Sequence, residues 1–462
     1  IALPPVAAPF EQSLRASLAW ILVNREGPRI QPGPRCYRRS WIRDGVLTGS
    51  ALAEMGFADE LAEFMRWYAP FQYEDGRVPC GVDRHGIDRA VEHDSHGQFV
   101  FGIAEHARLT GDATLLRELW PRVLRAVDAI AELRAERTGE AFRGDPRFGL
   151  LPESISHEGY SSNPVHAYWD DFFAVRALAD AAESAALAGD PNTAGGIGEL
   201  RDAMRRDLHA SIALAMERHG IDFLPGSVEL GDFDPTSTAI ALDPCGEGSR
   251  LPQAALVRTF ARYLEEFEAR RRGEHHLDAY TPYEIRSAVA LLRLDWKERA
   301  LALLDWLVGD QRPTAWRQWP EVSTRDPRAP RFLGDLPHGW VASSFVRTLR
   351  RLVAYEDDEA GVLVLGAGVP EAWVREAPGV RVRRLPTHFG PLDLELLAEG
   401  DDRVRARLGG ECRPPGGFVL ASPFARPLTG VTVDRRAVAL DAPDRIRLAT
   451  GARDVELLYT SR

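Results

Sequence analysis

Carboxylates and aromatic rings crowd five short stretches of this chain. Together they could do acid–base chemistry on a hydroxyl-rich ligand. The first is CYRRSWIRDG, 36–45, where Trp41, Arg43 and Asp44 form a polar-aromatic cluster. Its plainer reading is a helix start, with Asp44 as the cap and Trp41 as packing. The second is VEHDSHGQF, 91–99. Asp94 and Gln98 there suit polar recognition, with capping by Asp94 as the structural counterpart. His93 and His96 could share a helix face, but a metal site needs further ligands and none stands nearby. The third runs over 149–178 and holds Glu153, His157, Glu158, Tyr160, His166, Tyr168, Trp169, Asp170 and Asp171. One of the paired aspartates should cap a helix. The other, beside an indole, could donate a proton, because partial desolvation raises a carboxyl pKa. The fourth, VELGDFDPTST, 228–238, carries Glu229, Asp232 and Asp234 without the EF-hand spacing, and reads as pocket wall or helix cap. The fifth, 316–340, holds Trp316, Trp319, Glu321, Asp335, His338 and Trp340. Three tryptophans around one glutamate suit a pocket in which rings stack on a sugar's C–H face; its counterpart is an ordered loop with core tryptophans.

Composition removes other chemistries. The 462 residues carry Lys+Arg 57 against Asp+Glu 68, a net charge of −11. A single lysine is present, Lys297, in LDWKERA, which has no glycine. A phosphate-binding loop needs a lysine after its glycines, and Schiff-base cofactors need a lysine amine. The acidic balance argues against nucleic acid. No run approaches the ~18 apolar residues of a membrane span. Cys36, Cys80, Cys245 and Cys412 form no CxxC pair, so neither a zinc site nor a disulfide framework is signalled. Neither a metal nor another cofactor is called for, and a reduced cytoplasm is preferred over secretion. The chain begins at Ile1 rather than Met, which leaves a cleaved leader open. VLVLGAGVPEAW, 362–373, imitates a dinucleotide-binding turn, but Glu371 replaces its third glycine and Pro370 argues against a helix start. Neither a GxSxG elbow nor an HExxH pair occurs.

These loops need elements to hold them. Apolar periodicity predicts helices near 11–24, 44–56, 58–70, 95–110, 112–137, 171–188, 196–217, 235–242, 252–271, 282–294, 297–309 and 339–355. After about residue 357, alternating stretches such as VRVRRL, RVRARL and VTVDRRAVAL predict antiparallel strands between Pro/Gly turns. From Asp358 to Arg462 there are 15 acidic and 15 basic residues, so the acidic excess lies in the helical part. Ten of the 11 tryptophans lie there too. The chain therefore reads as mainly α: a helical domain over 1–357 and a small C-terminal antiparallel β-sandwich over 358–462. Twelve helices suggest six hairpins closing into a toroid whose loops converge on one pocket.

WIRDG, then YWDD before a helix, then WPE, then PHGW entering the last helix: this order resembles six-hairpin glycoside hydrolases of the (α/α)6 toroid. Glucoamylase-like family 15 and its trehalase and family 63 relatives are the nearest types. The resemblance spans most of 36–355. It implies that Asp170 is the general acid, Glu321 the general base, and Arg43 and Asp44 sugar ligands. The acid position carries Asp where glucoamylases have Glu, whereas trehalase-like and family 63 relatives use Asp. The C-terminal β-region is more like that of rhamnosidase-type relatives. The expectation is an exo-acting, inverting glycosidase acting on a carbohydrate, with Trp41, Asp94, Gln98, Glu153, His166, Trp169, Asp171, Trp319, His338 and Trp340 completing the pocket. Loop arginines, among them Arg38, Arg39, Arg84 and Arg325, are candidates for an anionic sugar. A phosphorylase, a polysaccharide lyase using His157, Tyr160, His166 or Tyr168, and a non-catalytic carbohydrate-binding protein are the alternatives.

Overall fold

The computed structural model describes residues 1–274, 279–324 and 334–460. Arg325 lies outside them. Among the described residues are twelve helices of eight residues or more. They are α1 (Ala8–Val23), α2 (Ile42–Ala53), α3 (Ala58–Tyr68), α4 (Asp94–Thr110), α5 (Thr114–Ala135), α6 (Tyr168–Ala188), α7 (Ala194–His219), α8 (Pro235–Leu242), α9 (Gln253–Arg271), α10 (Ile285–Arg293), α11 (Lys297–Gly309) and α12 (Gly339–Val353). A short helix, α13 (Glu371–Arg375), follows Pro370. That proline therefore ends the extended approach and introduces a helix, contrary to the sequence expectation. A proline ring is harmless there, because the first turn of a helix has no partner for its N–H groups.

Burial divides the twelve helices into two sets. All twelve residues of α2 and all fifteen of α12 are buried, as are most of α4 and α6. A helix covered all round belongs in an interior. By contrast α5 buries one stripe, including Leu115, Leu119, Val123, Val127 and Ile130. Contacts run α2–α4, α4–α6, α6–α8, α8–α10, α10–α12 and back from α12 to α2, which closes a cycle of the even-numbered helices. Glycines permit some of the closest approaches. A Cβ on Gly97 of α4 would meet the backbone of Phe173 in α6, and one on Gly45 of α2 would meet the Phe64 ring in α3.

A three-stranded and a two-stranded piece brace the loops at one end of this cycle. Strand β1 (Ser40–Trp41) pairs with β2 (Gly81–Asp83), which pairs with β3 (Gly86–Ile87). Strand β4 (Ala279–Tyr280) pairs with β5 (Ser323–Thr324).

The chain passes from α12 straight into β6 (Ala354–Asp357). The remaining strands are β7 (Val362–Leu365), β8 (Val380–Leu385), β9 (Leu392–Ala398), β10 (Arg403–Gly410), β11 (Phe418–Ala421), β12 (Gly430–Val433), β13 (Arg436–Val438), β14 (Arg445–Leu448) and β15 (Asp454–Leu458). They form a six-stranded sheet, β13-β12-β15-β10-β9-β8, and a four-stranded sheet, β14-β11-β7-β6. The expected antiparallel pairing has one exception: β7 and β11 are parallel, with Leu363 opposite Phe418. The reason is the connection. Between them the chain runs through α13 and three strands of the other sheet, and a parallel pair requires such a crossover.

Several ties fasten this region to the helices. Ala2 exchanges backbone hydrogen bonds with Arg381 (2.8 and 2.9 Å), and Phe10 meets Trp373 edge-on at 5.3 Å. Lys297, at the start of α11, donates to the carbonyls of Ser422 (3.3 Å) and Pro423 (3.2 Å).

Candidate active site

Every even-numbered helix brings its N-terminal residues to the same end of the cycle. There α2 supplies Arg43 and Asp44, α4 Asp94, α6 Trp169 and Asp170, α10 Arg286 and α12 Trp340. The start of α8 joins through Ser237, whose hydroxyl meets His157 Nε2 at 3.0 Å while that imidazole stacks on Trp169 at 4.6 Å. A helix N-terminus carries a partial positive charge, so this is the end at which carboxylates are most easily held. The opposite, C-terminal ends border a separate cavity of about 640 Å³, lined by groups including Arg176, Asp180, Asp243, Arg351, Glu356 and His388.

The carboxylates are not the caps that the sequence suggested. The N-cap positions of α2, α4 and α6 are Trp41, His93 and Ala167, none with a side-chain cap bond. Asp44, Asp94, Asp170 and Asp171 sit inside the first turns, free for other partners. Asp234 does cap α8, accepting from Ser237 N–H, and His338 caps α12 through Val341 N–H.

Arg43 is the hub. Its buried guanidinium pairs with Glu92, lies 3.5 Å from Asp44, 3.8 Å from Asp94 and 3.7 Å from Glu158, and sits 5.0 Å from the Trp340 ring centre. Asp94 accepts from Trp169 Nε1 and Gln98 Nε2, both at 2.8 Å. Burial pushes the Asp44 carboxyl up to about 7; Arg43 opposes this, and Glu158 and Glu321 reinforce it. Asp170 is also pushed up to about 7, by burial and then by Asp94. Its two oxygens accept from Ser154 Oγ (2.6 Å) and Ser156 Oγ (2.7 Å), and it is 1% exposed.

Glu321 stands on a facing loop. Asp335 organises that region by accepting from the backbone N–H groups of Arg35, Cys36 and Tyr37 at 2.9–3.1 Å. The Tyr37 hydroxyl thereby reaches Glu321 Oε2 at 2.5 Å. Burial raises the Glu321 carboxyl above the usual range, while its hydrogen bond from Tyr37 acts the other way and Glu158 pushes it further up.

Glu158 bridges the two sides. Its carboxylate is 46% exposed, approaches Arg43, and acts through space on Asp44 and Glu321. Its backbone is left-handed, φ +63, a conformation a non-glycine residue adopts only when its surroundings hold it there.

Of the residues expected at the pocket, Arg43, Asp44, Asp94, Gln98, Trp169, Trp340 and Glu321 are drawn into this constellation. His338 lies edge-on to Tyr37 and Tyr283, and burial takes it down to about 3, so it is neutral. Trp41 contacts Tyr37 and Arg39 at the margin. Others turn elsewhere. Glu153 pairs with Arg137, and His166 bonds Glu229 at 2.7 Å and accepts from Arg137 at 3.2 Å. Asp171 accepts from Leu151 N–H and faces the interior. Trp319 is buried against Phe345. The residues a lyase would use are engaged: Tyr160 with Asp232, Tyr168 with Ser211, and His157 between Ser156 and Ser237. Arg38 pairs with Glu26, Arg39 with Asp83 and Asp88, and Arg84 with His85. His96 accepts from Val78 N–H, and among the described residues no group of three potential ligands is arranged around a metal position.

Sequence reasoning left out Glu92, Tyr37, Tyr283 and Arg286 as site residues. Glu158 stood in the third loop, unassigned. Tyr37 had one signal, its place in the WIRDG loop; Arg286 had none, sitting in an ordinary amphipathic stretch.

No protein-family profile and no curated protein sequence matches the chain. Solved structures do. An α-L-rhamnosidase from Dictyoglumus thermophilum superposes with a TM-score of 0.63 at 12% identity, over 97% of this chain and 49% of that one. A Streptomyces avermitilis α-L-rhamnosidase complexed with L-rhamnose gives 0.63 at 14%, over 97% and 41%. A glycosidase in complex with glucose gives 0.55 at 12%, over 75% and 97%. The chain thus spans about half, or less, of those two rhamnosidases. No described helix is long and apolar enough to cross a membrane. The chain shares its fold with glycosidases.

Proposed function

We propose that the protein is a glycoside hydrolase, an exo-acting, inverting enzyme built on an (α/α)6 toroid with a C-terminal β-sandwich. The observation that carries the reading is that Glu158 lies near enough to act through space on Glu321, beside Arg43, whose guanidinium sits over the Trp340 ring. The cycle of six buried helices and the order of the WIRDG, YWDD, WPE and PHGW segments also support it. In an inverting reaction one carboxyl protonates the leaving oxygen while the other activates water, with the two ~6.5–9.5 Å apart. Glu321, held by the Tyr37 hydroxyl, takes the base role. Glu158, partly exposed beside Arg43, takes the acid role. Trp169 and Trp340 would form the pocket's apolar wall, and Asp44, held by Arg43, would grip a sugar hydroxyl.

A second reading keeps Asp170 as the acid, favoured by its carboxyl at about 7. Against it stand its two serine donors, which occupy the oxygens that would have to reach the substrate. Leaving-group dependence separates the two. A missing acid matters little for an aryl glycoside whose phenolate departs unaided, whereas a missing base matters for all. Glu321→Gln should therefore lower kcat by about 10³-fold or more on every substrate. Glu158→Gln should lose about 10²–10⁴-fold on poor leaving groups and little on 2,4-dinitrophenyl glycosides. That pattern in Asp170→Asn instead would move the acid role there. Unchanged turnover in Glu321→Gln would sink the hydrolase assignment. Product anomer by NMR reads the stereochemistry, and phosphate-dependent turnover would mark a phosphorylase.

A further inference from the structure

The site contains two guanidinium groups in opposite situations. Arg43 is saturated by carboxylates: Glu92, Asp44, Asp94 and Glu158 all lie within 4 Å. Arg286, the second residue of α10, is part-buried and, among the described residues, makes no ion pair and no hydrogen bond. Three rings surround it. Its guanidinium carbon is 4.5 Å from the centre of Trp340, 4.9 Å from Tyr283 and 5.4 Å from Trp169. Trp169 and Trp340 line the proposed sugar pocket, and Tyr283 lies close enough to Glu321 for the two to act on each other. Burial lowers its proton affinity to about 10, although Tyr283, Asp234 and Asp44, none of them an ion-pair partner, act the other way through space, so it stays charged at neutral pH.

Aromatic rings attract a guanidinium through its faces but do not satisfy its N–H edge. A cation taken out of water without a counter-ion is costly, and such a cost persists where a ligand relieves it. The planar fork of donors matches a carboxylate, two parallel N–H···O bonds at once. Other arginines of the nearby loops are occupied: Arg38 and Arg39 have their own acids, and Arg35 reaches Asp335. The neighbouring carboxyls of Asp44 and Glu321 are pushed upward, which weakens their repulsion of an incoming anion.

We infer that Arg286 is a specificity residue that pairs with a carboxylate on the substrate, so that the enzyme acts on carboxylated rather than neutral glycosides. This rests on the glycosidase reading of the same site. The carboxylate comes from the sugar, as in a uronide, or from the group to which the sugar is linked. The test takes matched pairs of aryl glycosides and aryl uronides, plus glycosides of a small hydroxy acid and of its neutral alcohol. For wild type, one carboxylated substrate should exceed its neutral partner in kcat/KM by about tenfold or more. In Arg286→Gln that ratio should collapse toward one, through KM, while Arg286→Lys keeps part of it. Which pair shows the effect tells the two sources apart. Equal kcat/KM for both members of every pair in wild type, or an unchanged ratio in Arg286→Gln, would overturn the inference. If wild type hydrolyses neither series, the glycosidase reading fails by itself. Calorimetry with glucuronate, galacturonate and their neutral sugars then still judges Arg286: selective uronate binding lost in Arg286→Gln supports it, and no selective binding refutes it.

Discussion

Asp170 is neutral at pH values where an exposed aspartate is ionised. Burial dominates, Asp94 adds to it, and two serine hydroxyls offset part of it. The sign for stability follows from the direction of that shift. A carboxyl whose folded pKa exceeds its unfolded value of about 3.9 favours folding while protonated. That contribution is complete below pH 4 and is lost as pH rises through 7. Asp170→Asn removes the ionisable group, so the variant should gain on wild type over pH 4–8. The gain should reach on the order of a few kcal/mol by pH 8, read from urea midpoints. A variant that is less stable at pH 8 would show that the two serine bonds outweigh burial. At this scale the sequence was only half legible. Carboxylates beside indoles announced acid–base work in WIRDG and YWDD. Which carboxyl is sealed, as Asp170 is by Ser154 and Ser156, and which is open, as Glu158 is, depends on loops folding back, and neighbours in sequence do not reveal it. Arg286 was invisible for the same reason, since two of its three rings, Trp169 and Trp340, come from other segments.

At the scale of elements, the predicted helices and the observed ones correspond, because each carries a continuous apolar stripe or an apolar surface all round. Starts were less legible. Asp44 and Asp170 look like caps, yet α2 and α6 begin two residues earlier, which turns both into pocket groups. Extended strand β1 fixes the Trp41 backbone and so sets the start of α2. Glycine spacing within the helices had a packing meaning that a single sequence does not disclose. Gly97 brings α4 against the Phe173 backbone, which has no side chain to swing aside. Gly97→Ala should therefore destabilise by about 1–3 kcal/mol, as overpacking typically does. It should also displace Asp94 and Trp169, which sit beside that contact. Thermal melts give the first effect, and loss of ligand-induced tryptophan fluorescence change gives the second. A fully stable variant would mean the helices can part without cost.

The whole molecule has a charge axis. Acids gather where six helix N-termini meet, and at the other end, where carbonyl ends are negative, arginines interleave with acids in a network of ion pairs. There Asp243, the C-cap of α8, pairs with Arg293, Arg347 and Arg351, which hold its carboxyl far below the usual range. His388, from the β-region, joins this end by meeting Glu105 of α4 at 3.2 Å and Asp358 at 2.7 Å. Glu105 and Asp358 push its imidazole up to about 10 despite burial. A histidine with a raised folded pKa stabilises fully below its unfolded value of about 6.5, and the effect fades as pH climbs to 10. Wild type should thus lose on the order of a few kcal/mol relative to His388→Gln between pH 7 and 10, measured by denaturant titration. Parallel curves for the two proteins would dissociate His388 from the pH response. None of this network was readable beforehand: the neutral tally of the last hundred residues concealed a charged seam.

The lone lysine has a practical consequence. Lys297 holds two carbonyls of the β-region, and burial takes its amine down to about 8. Apart from the chain terminus it is the sole target for amine acylation in 462 residues. A single mass increment at one tryptic peptide therefore reports, without any engineered tag, whether the β-region is seated on α11 or has lifted away.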